Sequence, residues 1–312
     1  MIGEIAKKSI LRFAIIMNIL SSLATVYSKE PLIYSLNDYI IKWEFYKYCQ
    51  FGYDPETSYE SFPLSLQAGG ITFDPSQVKK GDLIFLRARY TQKFFEQVVP
   101  RIQEPFIIIA HGEYLDGCQD YFSHYLDHPK LMAWFGTHPC SLAHRKFHPI
   151  PLGVWPHRPL YQKKAEMASL FAQLRATHKK KLVYANFADW VHPERKKVKD
   201  LFADQAYCTF RSRIPFVEYL HEMAEHKFTF SPRGLGPDCY RTWEALLVGS
   251  IPIVRRSHLD PMYEGLPVLI VDEWEIIDQQ FLEKKYEEMT AKNYDLRKLS
   301  IEYWLQEIKK VT

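Results

Sequence analysis

Apolar positions in this chain fall into short unbroken runs separated by stretches of helical spacing. Leu83–Leu86 and Phe106–Ala110 contain no polar residue, which predicts strands buried on both faces. Residues 130–135 and 147–153 predict two further strands in the first half, and a short apolar run stands at residues 32–35. Helical spacing or aromatic-rich amphipathic pattern covers 40–48, 87–101 and 121–126, while the turn-rich stretch 51–63 reads as a loop. In the second half a helix over 163–178 precedes a strand at 182–186. A helix after Pro193, a strand near 207–210 and a helix over 216–226 follow. Residues 226–256 then read strand (227–231), Pro/Gly loop (232–237), helix (238–248), glycine turn and strand (251–254), and 267–271 adds another strand. The tail, 279–311, carries two charged amphipathic helices. Strands alternating with helices at this spacing imply parallel sheets covered on both sides.

The 312 residues suffice for two domains of ordinary size. We expect them at 29–158 and 159–312, joined through the proline-bearing stretch 152–161. A content of 47% hydrophobic residues marks a chain with large cores. The net charge of +3 is too small to argue for nucleic acid. The basic runs His178-Lys179-Lys180-Lys181 and Arg195-Lys196-Lys197 read as solvated faces. Five cysteines (Cys49, Cys118, Cys140, Cys208, Cys239) lie far apart without a C-x-x-C pair, against a zinc ribbon or redox motif. At the amino terminus Lys7, Lys8 and Arg12 precede an apolar run at 13–20, with small residues at Ala24 and Ser28. That is the layout of a signal peptide over residues 1–28, or of a signal anchor over 10–26.

The 226–256 stretch carries the candidate chemistry. A strand, a polar loop and a helix start aim backbone N–H groups and a positive dipole end at one place, a site suited to phosphate. Asp238 is placed to cap that helix and Gly249 to close it in the left-handed conformation. Arg233 in the loop and Arg241 in the first helical turn supply two forked cations for a diphosphate. Glu244, three residues after Arg241, stands where a carboxylate accepts ribose hydroxyls. Ligands of open parallel sheets sit outside the carboxyl ends of strands. That adds Asn186, Ser231 and Gly234 in the second half, and His111, Glu113 and Thr137-His138 in the first. Arg211 and Arg213, before the helix at Pro215, are within reach of a donor's phosphates or base. Tyr240, Asn186 and Trp190 are weaker candidates for a base or acceptor pocket. Cys239 is either a small packing residue or a helix-end thiol of lowered pKa.

Ser231-Pro232-Arg233-Gly234, then Arg241-Thr242-Trp243-Glu244-Ala245-Leu246, then Gly249-Ser250-Ile251-Pro252-Ile253 resemble, in order, the carboxy-terminal half of exostosin-like glycosyltransferases. The close resemblance spans 215–275, and Pro151-Leu152-Gly153 is similar to a P-x-G element near that position in the group. It implies the GT-B architecture, an α/β fold of two Rossmann-like domains with parallel sheets facing a cleft. The donor nucleotide would lie in the carboxy-terminal domain, with the acceptor approaching from the amino-terminal one. The implied activity is transfer of a sugar from a nucleotide diphosphate sugar, UDP-linked, to a glycan or glycoconjugate. Alternatives are a transferase of another GT-B lineage (fucosyl- or O-glucosyltransferase-like), or a non-catalytic nucleotide- or sugar-binding protein.

Such a transfer needs charge on the departing diphosphate neutralised and, for inversion, a base on the facing domain. Ser231, Arg233, Gly234, Arg241, Glu244, Arg211 and Asn186 are the expected donor-binding residues. The candidate bases are His111, Glu113 and Asp116, with His138 a fourth. The chain has no D-x-D motif, so we expect a metal-independent enzyme without a cofactor. Retaining relatives of this architecture carry E-x₇-E, but the position that would pair with Glu244 is Gly236, which fits inversion. Expected partners are thus the nucleotide sugar and the glycan, no nucleic acid, and a membrane through residues 5–24. In a eukaryote the catalytic part would lie in the endoplasmic reticulum or Golgi lumen, in a bacterium on the cytoplasmic membrane surface.

Overall fold

The structure, a computed structural model, describes residues 38–53, 74–112, 123–137, 144–155 and 163–311. The expectations for 1–28, 32–35 and most of 51–63 and 152–161 lie outside the described residues. The first lobe runs β1 (Phe51–Tyr53), β2 (Leu83–Leu86), α1 (Thr91–Gln97), β3 (Phe106–Ala110), α2 (Ser123–Leu126), β4 (Leu131–Gly136) and β5 (Phe147–Pro149). The second begins α3 (Lys164–Arg175), β6 (Lys181–Asn186), α4 (Pro193–Phe202), β7 (Cys208–Arg211), α5 (Phe216–Ala224) and β8 (His226–Phe230). It continues α6 (Tyr240–Val248), β9 (Ile251–Arg255), α7 (Asp260–Tyr263), β10 (Leu269–Val271), α8 (Gln279–Thr290) and α9 (Ile301–Lys309).

Every strand pair among the described residues is parallel. The first sheet has the order β1-β2-β3-β4-β5, so its chain advances in one direction. The second has the order β10-β9-β8-β6-β7. Its chain starts in the middle at β6, goes to one edge, then crosses to β8 and proceeds the other way. The reversal puts a crevice outside the carboxyl ends of β6 and β8, where neighbouring connections leave on opposite faces. These two five-stranded parallel sheets with helical cover are the GT-B architecture.

Three differences from the sequence pattern have local causes. Residues 40–48 form no α-helix: Tyr39 and Ile41 make bridges to Ser300 and Val154, and a 3-10 turn covers Glu44–Tyr48. Interstrand bonding captures the first part of the segment, and Trp43 sits in the left-handed region (φ 69°) between the two parts. Phe51–Tyr53, expected within a loop, is an edge strand paired with β2, too short to show a period. The 87–101 stretch is broken into 3-10 turn, α1 and 3-10 turn, the last opening on Val99-Pro100. Among the described residues no helix is long and apolar enough to cross a membrane.

One apolar cluster runs through both lobes. Phe45, Ile107, Phe135 and Ile150 of the first belong to the same buried set as Phe171, Trp243, Leu246 and Trp304 of the second. The lobes therefore share a core. Glu44 fastens the 38–48 segment inside it. Its carboxylate accepts the Ile41 N–H (3.1 Å) and the Lys164 ammonium (2.8 Å) while the residue is buried. Removing one partner of such a pair strands the other charge. Glu44→Ala is expected to lower stability by about 2 kcal/mol, less than for a fully dry pair because Lys164 keeps 25% of its side chain exposed. The effect should be a lower urea midpoint at unchanged m-value; an unmoved midpoint would remove this link from the fold's stability.

Candidate active site

A cleft of about 520 Å³ opens where the carboxyl ends of β6 and β7 meet the loop after β8 and the start of α6. That volume suits a nucleotide-sized ligand. Arg241, in the first turn of α6, lines the cleft. The Nε–H donates to the Asn186 backbone carbonyl (2.9 Å), and the guanidinium carbon lies 5.2 Å from the centre of the Phe187 ring. The remaining Nη1 is buried without a hydrogen-bond partner in the structure. A buried guanidinium nitrogen without an acceptor is costly, and an anion in the cleft would supply one. Cys239 occupies the cap position of α6 and makes no side-chain cap bond to it. The positive end of the helix thus faces the same space.

Glu244 lies one turn further along α6, 4% exposed. Its Oε2 accepts the Tyr219 hydroxyl (2.7 Å) and its Oε1 the Trp155 N–H (3.4 Å). Burial raises its pKa, while Tyr219 and Arg241 pull it the other way. Asn186 and Gly234 also line the cleft.

Other expected donor ligands stand elsewhere. Arg233 lines a neighbouring cavity of about 350 Å³ with Ser231, Arg255 and Arg256, so the paired-arginine expectation is corrected. Its main chain is held by Glu194 and Arg195: the Arg233 N–H donates to Glu194 Oε1 (2.9 Å), and Arg195 Nε donates to its carbonyl (3.0 Å). Ser231 is buried and bonds Thr242 through its hydroxyl (2.9 Å), tying β8 to α6 rather than facing ligand. Arg211 is exposed and paired with Glu222 (3.3 Å) outside the cleft lining. The neighbouring Arg213 does line it, in the left-handed region (φ 55°), with its guanidinium carbon 5.7 Å from the centre of the exposed Trp190 ring.

The cation that replaces Arg233 is Arg195. It belongs to the basic run Arg195-Lys196-Lys197, whose first member does not face solvent as expected but lines the cleft. It stands in the first turn of α4, which Pro193 opens and His192 caps by accepting the Glu194 N–H (3.1 Å). Its Nη2 comes so close to Gly234 that a Cβ there would meet it at 2.8 Å. The legible signal was position: Arg195 opens the helix just past the end of β6, whereas Lys196 and Lys197 face water and pair with Asp200 and Glu275.

Asp238 does not cap α6. It is buried one residue earlier, and its carboxylate accepts the Leu152 N–H (2.8 Å), the Cys239 N–H (2.9 Å), the Trp243 indole N–H (2.9 Å) and the Tyr263 hydroxyl (3.1 Å). The Leu152 bond joins the lobes. Burial pushes its pKa up to about 6 against those donors. Cys239 is an inert packing thiol, since burial raises rather than lowers its pKa.

On the facing lobe, Glu113, Asp116 and His138 lie outside the described residues. His111 is buried and outside the cleft lining. Its Nε2 lies 3.0 Å from the Pro151 carbonyl, which can only accept, so that nitrogen carries the proton. The ring meets Phe45 edge-on. Burial drives its pKa down to about 3. The ring orders the lobe junction and stands apart from the residues that line the cleft.

A family model described as RXYLT1 C-terminal domain matches residues 203–312. No curated protein matches the chain. Among solved structures, an α1,3-fucosyltransferase is similar at 12% identity, covering 73% of this chain and 76% of that one, with a TM-score of 0.40. The pneumococcal O-GlcNAc transferase GtfA, solved with UDP and GlcNAc, is similar at 10% identity, covering 75% and 57%, with a TM-score of 0.38. The catalytic domain of starch synthase IV from Arabidopsis thaliana, bound to ADP and acarbose, is similar at 10% identity, covering 74% and 72%, with a TM-score of 0.34. Likenesses at this level carry no argument about residues or chemistry. The family match, the ordered motifs of the second lobe and the paired parallel sheets define the class, a glycosyltransferase. The family model covers the carboxy-terminal part of the chain, residues 203–312, and that part is similar to the exostosin-like glycosyltransferases.

The His111 assignment has a pH signature. Its ordinary pKa of 6.5 falls to about 3 in the fold, so between those values the unfolded chain binds the extra proton and stability falls as pH falls. Asp238, raised from 3.8 to about 6, acts in the opposite sense between those values, losing stability as pH rises. The His111 share is therefore read by difference. Stability of His111→Gln relative to the wild type is expected to improve steadily as pH drops from about 6.5 towards 3 in urea titrations. A pH-independent difference would show that the ring is not held neutral.

Proposed function

We propose that this enzyme transfers a sugar with inversion from a UDP-sugar to a hydroxyl of a glycan or glycoconjugate. The observation that carries the reading is Arg241: a half-buried guanidinium with one nitrogen still lacking an acceptor, at a helix start without a side-chain cap. The diphosphate lies there, with Arg241 and the first-turn amides on its oxygens and Arg195 beside them. Glu244, held by Tyr219, takes the ribose hydroxyls. The base lies among Phe187, Ile214 and Phe216, the apolar wall of the cleft.

In the reaction the acceptor oxygen bonds to the anomeric carbon from the face opposite the nucleotide. The bond from that carbon to the phosphate oxygen breaks, and its electron pair leaves with the nucleoside diphosphate. The acceptor proton passes to a carboxylate of the facing lobe, for which Glu113 and Asp116 are the candidates. Fixed cations and amides in a partly dry cleft neutralise the leaving charge without reorganising, so this reading needs no metal. Residues 5–24 would attach the enzyme to a membrane.

Arg241→Ala is expected to reduce kcat/KM for transfer by about 2–4 kcal/mol equivalent. An unchanged value would take the diphosphate away from α6. Turnover should be indifferent to EDTA, and activity lost to EDTA but restored by Mn²⁺ would reassign charge neutralisation to a metal. In a thermal-shift series, UDP-sugars should raise the Tm more than GDP- or ADP-sugars. Binding without any release of UDP, with or without acceptors, would instead identify a non-catalytic nucleotide-binding protein.

A further inference from the structure

One cation of the cleft has no protein acceptor to account for it. Arg213 lines the cleft from the loop after β7 and is exposed. Among the described residues its guanidinium makes no hydrogen bond and no ion pair, and the interaction it does make is with the Trp190 ring at 5.7 Å. Arg211, two residues earlier, is by contrast paired with Glu222 (3.3 Å). The backbone leaves its ordinary range to place this side chain: φ at Arg213 is 55°, a left-handed value that few residues with a side chain adopt. Strain of that kind gathers at functional sites. Trp190 is 71% exposed. It sits on a 3-10 turn, Asp189–Val191, just past the end of β6, and Lys199 fixes that turn through Asp189 (2.6 Å). A guanidinium beside a ring face keeps its N–H donors, so those of Arg213 stay available to a ligand.

Position decides which part of a nucleotide meets them. In the order β8-β6-β7 the last strand is the edge, so the loop carrying Arg213 stands two strands away from the one that leads into α6. Two strand spacings are about 10 Å, the reach of a nucleoside. Asn186 at the end of β6 lies between them, with the apolar wall of Phe187, Ile214 and Phe216. Ile214 directly follows Arg213 in the chain. We propose that Arg213 reads the far edge of the nucleotide base by donating a hydrogen bond to the O4 carbonyl of uracil. This rests on the reading that the diphosphate lies at the start of α6. A uracil on the apolar wall turns O2 towards its ribose and O4 away from it, to the end of the cleft where Arg213 stands. Cytosine carries an amino group at that position, so a donor would face a donor and the hydrogen bond is lost. Arg213 thus selects uracil over cytosine, and the charge of the diphosphate is left to Arg241 and Arg195.

Calorimetric titration of the full chain with UDP and with CDP reads this selection. The wild type is expected to bind UDP roughly tenfold or more tightly than CDP. Arg213→Met keeps an extended side chain beside Trp190 without the donors. It should bring UDP affinity down to near that of CDP, while CDP stays within about twofold of its wild-type value. Arg213→Lys, which keeps a charged donor, should retain part of the preference. Equal binding of UDP and CDP by the wild type would overturn the inference. Equal weakening of both by Arg213→Met would also overturn it, and assign Arg213 to the phosphates or to the fold. Arg241→Ala distinguishes the two readings. If it leaves both affinities intact, or if the wild type binds neither nucleotide, the diphosphate site itself is misplaced and the inference falls with it. If Arg241→Ala weakens both and Arg213→Met leaves the UDP preference unchanged, only Arg213 is misassigned.

Discussion

Helix α6 is buried along almost its whole length, Thr242 to Val248, and its orientation governs the site. A helix without a solvent face must satisfy both ends within the protein. At the carboxyl end Arg175 Nη2 donates to the Leu246 carbonyl (2.6 Å) and Lys179 Nζ to the Val248 carbonyl (3.0 Å), while Gly249 turns the chain out at φ 76°. Lys179 also closes α5 through the Ala224 carbonyl (2.7 Å). With the last carbonyls satisfied by two side-chain donors, the other end, the positive one, points into the crevice of the sheet. Anion recognition follows from the packing of this one element.

The lobes are held in register around it by polar links as well as by the shared core. Asp238, just ahead of α6, takes the Leu152 N–H of the first lobe and the Trp243 and Tyr263 side chains of the second. Glu244 on α6 takes the Trp155 N–H. The passage 150–155 therefore docks against the very helix that carries Arg241. A shift between lobes would be felt at once by the cleft, through Trp155 and Tyr240, whose rings meet edge-on at 4.9 Å.

Much of this was legible in the residues. Continuous apolar runs announced β2 and β3, because a strand buried on both faces rarely accommodates a polar side chain. Arg241, Glu244 and Gly249 kept their places because a helical turn fixes spacing locally. The failures are of one kind. Arg233 and Arg241 were read as partners from their closeness in sequence, yet the loop between them sends Arg233 to a neighbouring cavity. Arg195 was hidden in a basic run, since composition does not say which member of the run faces inward. Asp238 matched a capping residue by type, but four donors from three other elements and its own neighbour compete for its carboxylate.

The amino-acid sequence by itself determined the alternation of strand and helix, the parallel sheets, and the strand–loop–helix unit that aims amides at an anion, since each depends on periods of a few residues. Only the tertiary structure decided which cations share the cleft and that His111 is sealed at a junction. Those outcomes depend on the crossing from β7 to β8 and on the packing of one lobe against the other. Contacts between residues a hundred positions apart are set by the whole chain's burial, and no local period records them.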